Sequence, residues 1–478
     1  MQQALHIFKK DVRRLRYEII VTLVLAATFA SSVGEGNPVF DWQTDRLNRV
    51  AYLLRVLLLL SWGYLVARTI QGEPLPGDRQ FWVTRPYRWR SLLGAKALFI
   101  AVFVILPLLL SDCVILALNG LHPSDHLAGL AWHPLVFCVV FLVPVAALAC
   151  ITARTAEMVL AVVSVVATAE VLGRLSIGPS PPFFASLAWI RISLAFLVLF
   201  FGGLTIMILQ YHARRTGVSR IFAAATLGLA FLVIAFLPWK ADFAFQSWLV
   251  NAPVDTSSIS IQLQPVERPL PRSSTYANGR ILVSLPIDFS NVPLGTLPVV
   301  DGIAVELVLP DGKPYKPLTE HGTSTVNGKR RYLVSVEPRL YAQIKNTPLR
   351  MRVMVLLTLY GNLHTERMRI DGNSHSVPGV GVCAAEALEK SIRVGCLEPF
   401  RILGTGARVE NTTAGDIVGA DPLSPYPADF GISPMDQVSW QLYNEAGATT
   451  IIFTTMQPLA HVRRDLENPN VQLADFAN

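Results

Sequence analysis

The sequence predicts an α-helical polytopic membrane domain of about seven spans, followed by an extracytoplasmic, mainly β, sandwich-like domain. The 478 residues are 52% hydrophobic and 16% charged, too apolar for one soluble globule and too polar for membrane throughout. Residues 1–239 hold 20 Lys and Arg against 11 Asp and Glu, whereas residues 240–478 hold 21 against 23. The basic excess belongs to the apolar half, where it indicates membrane topology and not a nucleic-acid footprint.

Residues 1–18 form the first predicted element, an amphipathic interfacial helix. Leu5, Phe8 and Val12 recur at three- and four-residue steps and make one apolar stripe, while basic side chains cover the rest of the surface. Such a helix lies at the membrane surface against anionic headgroups. A cleaved signal peptide is the alternative, because Ala27–Ser32 permits a cleavage site; we expect a retained first span instead.

The predicted membrane domain covers residues 18–239 and contains seven apolar runs. Arginine and lysine concentrate in the segments on one side of these runs. This bias predicts a protein of the cytoplasmic (inner) membrane, with its N-terminus in the cytoplasm and residues 240–478 outside the cytoplasm. The seventh run decides this, because six spans would leave the β domain in the cytoplasm. The predicted spans are Glu18–Val33, Val50–Ile70, Ala95–Leu118, Pro134–Ala153, Glu157–Leu175, Ile190–Tyr211 and Arg220–Pro238.

Residues 240–478 change to short stretches in which apolar and polar side chains alternate, separated by turn signals. Ser258–Gln264 alternates strictly, and Ile281–Phe289 continues the pattern. Several such strands in succession predict an antiparallel sandwich. One helix is predicted within this half, at Ala384–Arg393.

The polar, basic stretch Gly77–Lys96 lies between the second and third predicted spans. Pro86 suits the first turn of a helix and biases Arg85 toward an extended conformation. We therefore expect a short helix that ends near Thr84 and a new helix from Pro86. The resulting corner is either an interfacial anchor or a docking surface for another protein. It presents Phe81, Trp82, Tyr87 and Trp89 among Arg79, Arg85, Arg88 and Arg90.

This stretch resembles the loop between the second and third spans of type-two ABC exporter permeases. The resemblance rests on an acidic residue, a short Phe-Trp-Val-Thr helix, Pro86, basic residues and the sequence Leu92-Leu-Gly-Ala-Lys96. It is strongest over residues 78–96 and extends through the span layout over residues 1–211. In that family the loop is the coupling helix, which fits a cleft on the cytoplasmic ATPase. The residues to which the resemblance assigns ATPase coupling are Asp78, Phe81, Trp82, Arg85, Pro86 and Tyr87.

The resemblance implies a transporter subunit, in a dimer of permease subunits within the lipid membrane. The chain carries no Walker motif, so ATP would be bound by a separate partner subunit, and no cofactor is expected in this chain. Family members usually have six spans with both termini inside, so the seventh span and the β domain depart from the pattern. The alternative function is a non-transporting membrane anchor or sensor whose β domain binds an envelope partner.

Four charged residues lie within the predicted spans, where each is unfavourable in lipid and is a functional candidate by default. Glu170 and Arg174 are four residues apart and share a helix face. Together with Arg55 and Asp112 they are candidates for a polar substrate path. The alternative is snorkelling near an interface or a local ion pair, because all four lie near span ends.

The remaining chemistry of the β domain consists of two cysteines. Cys383 and Cys396 are expected to form a disulfide in an oxidising compartment, and two buried free thiols are the alternative. The domain has no zinc-protease helix, nucleophile elbow or calcium loop, and its histidines are scattered through loop-like sequence. The sequence therefore predicts neither catalytic residues nor a metal site.

Overall fold

The computed structural model describes residues 2–34, 45–72, 89–176, 184–213, 215–250, 254–264, 280–326, 329–388, 391–400, 404–410, 415–418, 434–443 and 449–476. Within these residues, a helical N-terminal region precedes a mainly β C-terminal region, as the sequence predicts. The helices are α1 (Gln2–Arg14), α2 (Arg16–Gly34), α3 (Asp45–Gln71), α4 (Trp89–Leu118), α5 (Pro123–Ile151), α6 (Thr155–Ser176), α7 (Phe184–Ile208), α8 (Thr216–Phe236), α9 (Trp239–Leu249) and α10 (Pro338–Ile344).

Six helices in the described part of the chain are long and apolar enough to cross a membrane, and they coincide with six of the seven predicted spans. They lie on α2, α3, α4, α5, α7 and α8. The fifth predicted span lies on α6, a 22-residue helix whose apolar described part is Thr155–Thr168. At 1.5 Å per residue, a helix of this length is about 33 Å long and matches the hydrocarbon thickness of a bilayer.

A π-helical turn interrupts α4 at Ala101–Ile105, and another interrupts α5 at Cys138–Leu142. Each turn is followed two residues later by a proline, Pro107 or Pro144. A proline removes one helical hydrogen bond and its ring collides with the carbonyl four residues before it. The wider π turn accommodates that collision, so the two helices continue beyond their prolines.

Contacts at the helix ends show that α6 also runs the length of the bundle. Thr155, at its start, donates a hydrogen bond from Oγ1 to Gln71 Oε1 at the end of α3 (3.1 Å). Trp189, near the start of the next helix, instead packs against Leu356 of the β domain. The chain therefore passes from one end of the bundle to the other between these residues. We call the end at Thr155 the α1 end and the end at Trp189 the β-domain end.

The β domain contains fourteen strands in its described residues. They are β1 (Ser260–Leu263), β2 (Ile281–Ser290), β3 (Leu297–Val308), β4 (Pro314–Tyr315), β5 (Leu318–Val326), β6 (Lys329–Val336), β7 (Leu349–Arg369), β8 (His375–Val377), β9 (Gly381–Ala387), β10 (Ser391–Pro399), β11 (Gly404–Val409), β12 (Gly415–Val418), β13 (Met435–Tyr443) and β14 (Thr450–Val471).

Two long neighbouring strands, β7 and β14, organise this domain. They lie in a six-stranded sheet of order β12-β11-β14-β7-β3-β4. One half of that sheet encloses a core with the sheet β1-β2-β6-β5, and the other half encloses a second core with the sheet β13-β10-β9-β8. Register shifts between Thr455 and Ala460 separate the two halves. The domain is thus two sandwiches joined by two continuous strands.

The helix predicted at Ala384–Arg393 is wrong, because this segment forms the end of β9 and the start of β10. The two strands pair in antiparallel register, with Ala385 opposite Val394. Ala, Leu, Glu and Lys favour helix locally, but Ala385, Ile392 and Val394 are buried in the second core. Burial of alternate side chains against a partner sheet outweighs the modest helix propensity of the segment.

Candidate functional site

A buried ion pair fastens the amphipathic helix to the third predicted span at the α1 end. Lys96 Nζ lies 2.8 Å from Asp11 Oδ2, and both side chains are almost fully buried. Beside them, Ile7 of α1 packs against Leu92 and Ala95 of α4. Lys96 is the residue that ends the stretch on which the permease resemblance rests. Its partner on α1 was not found in the sequence analysis, where Asp11 interrupts a run of basic residues.

Other contacts at this end join α4 and α1 to the ends of neighbouring helices. Trp89, the first residue of α4, lies edge-on to His212, with 5.4 Å between ring centroids. Arg14 Nη1 donates to the carbonyl oxygen of Gly72, just after α3 (3.0 Å). Residues 73–88 lie outside the described residues. The proposed coupling residues Asp78, Phe81, Trp82, Arg85, Pro86 and Tyr87 are therefore not described, but both segments that flank them are anchored.

A second buried polar pair lies inside the bundle toward the β-domain end. Asp112 of α4 and His133 of α5 are 0% and 5% exposed, and Asp112 Oδ2 lies 2.7 Å from His133 Nδ1. Among the described residues, neither Asp112 Oδ1 nor His133 Nε2 has a hydrogen-bond partner. Asp112 is a sequence-predicted path residue, and the structure places it next to a histidine that the prediction did not include.

The sequence contains a signal that would have found His133. Asp112 lies six residues before the end of α4 at Leu118, and His133 lies six residues after Leu127, where regular α-helix begins in α5. Two antiparallel helices joined by a short turn bring residues at equal distance from the turn to the same depth. A charged residue and a histidine in those positions therefore form a candidate pair.

A phenylalanine of the β domain reaches into the bundle beside this pair. Phe400, at the end of β10, lies with its ring centroid 5.9 Å from that of His133. Its ring occupies the space beside Gly129, where an added Cβ would come within 2.3 Å of it. The backbone of Phe400 has φ +42°, a left-handed conformation that is unfavourable for an aromatic residue, and its N–H donates to the carbonyl of Pro434 (2.8 Å).

The other three predicted path residues are separate from the Asp112–His133 pair or are not described. Arg55 lies on α3, with its guanidinium carbon 6.0 Å from the centroid of the Phe29 ring on α2. Glu170 lies on the exposed surface of α6. The side chain of Arg174 lies outside the described residues. Of the predicted path residues whose side chains are described, Asp112 lies beside His133, Arg55 lies beside Phe29 and Glu170 is exposed.

The β domain is seated on the helices through a mostly apolar contact. Alternate residues of β7, including Met354 and Leu356, face Trp189 at the start of α7 and Phe243 of α9. Arg463 of β14 lies over the Trp239 ring, with 5.2 Å between its guanidinium carbon and the ring centroid. The contact thus joins the sheet to helices on either side of α8.

The same face of the sheet carries a chain of hydrogen bonds across three strands. Thr358 Oγ1 lies 2.5 Å from Asp301 Oδ2 and 2.7 Å from His461 Nδ1. Burial raises the pKa of Asp301 to about 7, although the Thr358 hydrogen bond opposes this shift. Burial also lowers the pKa of His461 to about 4, so the imidazole is neutral at pH 7. The three side chains bond to one another through hydrogen bonds, which fixes the positions of their protons.

Cys383 of β9 and Cys396 of β10 lie opposite each other in the hairpin and are joined by a disulfide, with 4.1 Å between their α-carbons. Both residues are fully buried in the second core. Strand pairing, and not the helix considered in the sequence analysis, brings the two residues together. In the described residues, no group of three or more His, Cys, Asp or Glu side chains is arranged to hold a metal ion.

Comparison of the chain with known protein families, curated proteins and solved structures found no match.

Proposed function

We propose that this chain is the membrane-spanning permease subunit of an ABC-type exporter. A separate cytoplasmic ATPase subunit would bind the loop between α3 and α4 and supply the energy of ATP hydrolysis. The observation that supports this most directly is the Lys96–Asp11 ion pair, which fastens the helix that follows the loop to α1. A coupling loop can transmit movement only if the element that it pulls is held as a rigid unit.

The path of that movement follows from the contacts of α4. A displacement of the loop would reach Trp89 first, and Trp89 touches His212 in the π-helical turn Leu209–Ala213 that follows α7. Lys96 would carry the same displacement to α1 through Asp11. Because α4 extends to Leu118, the movement would also reach Asp112 at the β-domain end. One helix thus joins the proposed ATPase contact to the buried polar pair.

The proposal includes an orientation and an assembly. The α1 end, with its basic residues, faces the cytoplasm in an inner membrane, and residues 240–478 lie outside. The substrate path runs between the spans, and two permease subunits form a dimer in the lipid membrane. Asp112 and Arg55 are its candidate polar groups, while exposed Glu170 is better placed for a contact between subunits.

A second candidate function is a non-transporting anchor or sensor, favoured by the seating of the β domain on the helix ends. An envelope partner that bound the sandwiches would move the sheet carrying Leu356, and the sheet contacts Trp189 and Phe243 directly. In this function no ATPase is needed. The two candidates differ in whether the loop between α3 and α4 binds a protein partner.

Co-purification with a nucleotide-binding subunit tests the proposal. We expect the wild-type chain to recover such a subunit from native membranes, and the double variant Phe81→Ala, Trp82→Ala to lose about 2–4 kcal/mol of association free energy, as is typical of buried aromatic anchors. Trp248→Ala is the matched control, because Trp248 is an exposed aromatic residue on α9 at the opposite end. Equal recovery by all three proteins at matched membrane abundance would refute ATPase docking on this loop.

A further inference from the structure

The Asp112–His133 pair leaves two of its buried polar atoms without hydrogen bonds among the described residues. Taking charged side chains out of water is unfavourable unless their remaining hydrogen-bonding atoms are satisfied. Here Asp112 Oδ1 and His133 Nε2 have no hydrogen-bond partner among the described residues, although both side chains are buried. A purely structural pair would have those atoms bonded to neighbouring side chains or backbone.

The Asp112–His133 pair has atoms on which it can bind or release a proton. With one shared proton on the Asp112 Oδ2–His133 Nδ1 bond, and the ring N–H on Nε2, the pair is neutral overall, whichever atom of the bond carries the shared proton. Oδ1 can accept a further proton, and Nε2 can release one. These are the two atoms that the protein leaves unbonded. The pair can therefore gain or lose a proton without breaking its central hydrogen bond.

Other titratable groups lie on the described parts of the elements that surround the pair. Arg55 on α3 lies against Phe29 of α2. On the pair's own helices, Cys113 adjoins Asp112, and His126 lies at the start of α5, two turns before His133. From the β domain, the nearest acid along the chain to Phe400 is Glu398, which accepts a hydrogen bond from Thr405 (2.6 Å).

The Phe400 ring covers the Asp112–His133 pair and is held there by its packing against Gly129 and His133. A left-handed φ in an aromatic residue stores strain, and such strain persists where the surroundings hold the residue in place. Here the ring fills the notch at Gly129 and lies against His133. Phe400 belongs to the β domain, so a movement of that domain relative to α5 would withdraw the ring from the pair.

We propose that Asp112 and His133 form a proton-binding site inside the membrane domain, and that Phe400 of the β domain covers it. A net charge on the pair is unfavourable while it is buried, so proton exchange with water requires the cover to move. The β domain would then control when the site exchanges its proton. This proposal does not depend on the ATPase and applies equally to a transporter and to a sensor.

Labelling with dicyclohexylcarbodiimide tests the site in the full-length protein in membranes. The reagent adds to a protonated carboxyl group, and the O-acyl adduct rearranges to a stable N-acylurea, which peptide mass spectrometry locates. We expect slow labelling of Asp112 in the wild type and several-fold faster labelling in Phe400→Ala and in Gly129→Ala, where the new methyl group displaces the ring. Gly94→Ala is the matched control, because an added Cβ at Gly94 meets no atom within 4 Å.

The pH dependence of the same reaction tests the proton. In the two uncovered variants, labelling of Asp112 should fall as the pH is raised, because the ionised carboxylate does not react with the reagent. Adding His133→Gln to Phe400→Ala should shift the pH at which labelling falls, because the imidazole that shares the proton with Asp112 has been removed. Equal labelling in the wild type, Gly129→Ala and Gly94→Ala would overturn the cover. Labelling that is absent from the uncovered variants, or independent of pH, would overturn the proton site.

Discussion

Helix α1 and the β domain, at opposite ends of the helix bundle, are attached to it by different physical interactions. At the α1 end, α1 is tied to α4 by the buried Lys96–Asp11 pair, and α3 is tied to α1 by Arg14. At the β-domain end, the largely buried Arg191–Asp242 pair joins α7 to α9 (2.6 Å), but the sheet itself lies on Trp189 and its neighbours, and Phe400 fills the notch at Gly129. An ion pair fixes one geometry, because parting its members leaves a buried charge. Apolar surfaces can slide past one another at a smaller cost in free energy, so the β domain is the part of the molecule suited to movement.

The largest expected effect comes from breaking the pair at the α1 end. Lys96→Met leaves the Asp11 carboxylate buried without its partner, and we expect the free energy of unfolding to fall by about 3–5 kcal/mol. The measurement is the thermal unfolding transition of the purified protein in detergent, followed by helical circular dichroism. The double variant Lys96→Met, Asp11→Leu should recover much of the loss, because no charge is then left unpaired.

Arg220→Met provides the comparison for this experiment. Arg220 Nε donates to the carbonyl oxygen of Ile151 (3.1 Å), and the Arg220 side chain is exposed, so its removal leaves no buried charge. We expect a loss of about 1 kcal/mol. If Lys96→Met and Arg220→Met were equally mild, the α1 end would not be the rigidly held end of the bundle.

The disulfide gives the next largest effect and is confined to the β domain. It closes a loop of 13 residues' separation, so replacing both cysteines by alanine should lower the stability of the domain by roughly 2–3 kcal/mol on the chain-entropy account. Limited proteolysis should then cut the β9–β10 region sooner while cleavage near α1 is unchanged. In non-reduced protein from the envelope, alkylation of both wild-type thiols would contradict the disulfide.

Periodicity was sufficient to predict the division of the chain. Long charge-free runs such as Ile221–Leu237 can only be helices in lipid, because each backbone group must be bonded within its own segment. The alternation at Ile281–Phe289 equally required a strand with one buried face, and β2 is found there. In both cases one local pattern determines the structure, with no information from distant residues.

Long-range pairing could not be predicted in the same way. Asp301, Thr358 and His461 are brought together by strand register across β3, β7 and β14, and nothing within any one strand indicates its neighbours. The notch at Gly129 is likewise unrecognisable without Phe400, 271 positions later in the numbering. The hairpin at Cys383 and Cys396 was mistaken for a helix because local propensity was read without the sheet that overrides it.

The smallest expected effect is a pair of opposite pH dependences in the β domain. Burial lowers the pKa of His461 to about 4 in the folded protein, so between about pH 4 and pH 6.5 the unfolded chain binds this proton and the folded protein does not. Stability therefore rises with pH over that range. Burial raises the pKa of Asp301 to about 7 in the folded protein, so between about pH 4 and pH 7 the folded protein binds this proton and the unfolded chain does not. Stability therefore falls as the pH rises over that range. In the wild type the two trends oppose each other and stability changes little.

Single variants should separate the two trends. In Asp301→Asn the histidine trend remains, and the unfolding temperature of the β domain should rise with pH from about 4 to 6.5. In His461→Gln the aspartate trend remains, and the unfolding temperature should fall as the pH rises toward 7. Slopes of the same sign in the two variants would show that the two groups do not carry these shifts.

The proposed function requires that the α1 end and the β-domain end face opposite sides of the membrane. Compartment reporters fused after Tyr211, near the α1 end, and after Trp239, at the β-domain end, measure this in intact cells. We expect a cytoplasmic signal after Tyr211 and an extracytoplasmic signal after Trp239, because α8 crosses the membrane between them. The same compartment for both fusions would contradict the seventh span, and with it the proposed separation of an ATPase-binding end from an external β domain.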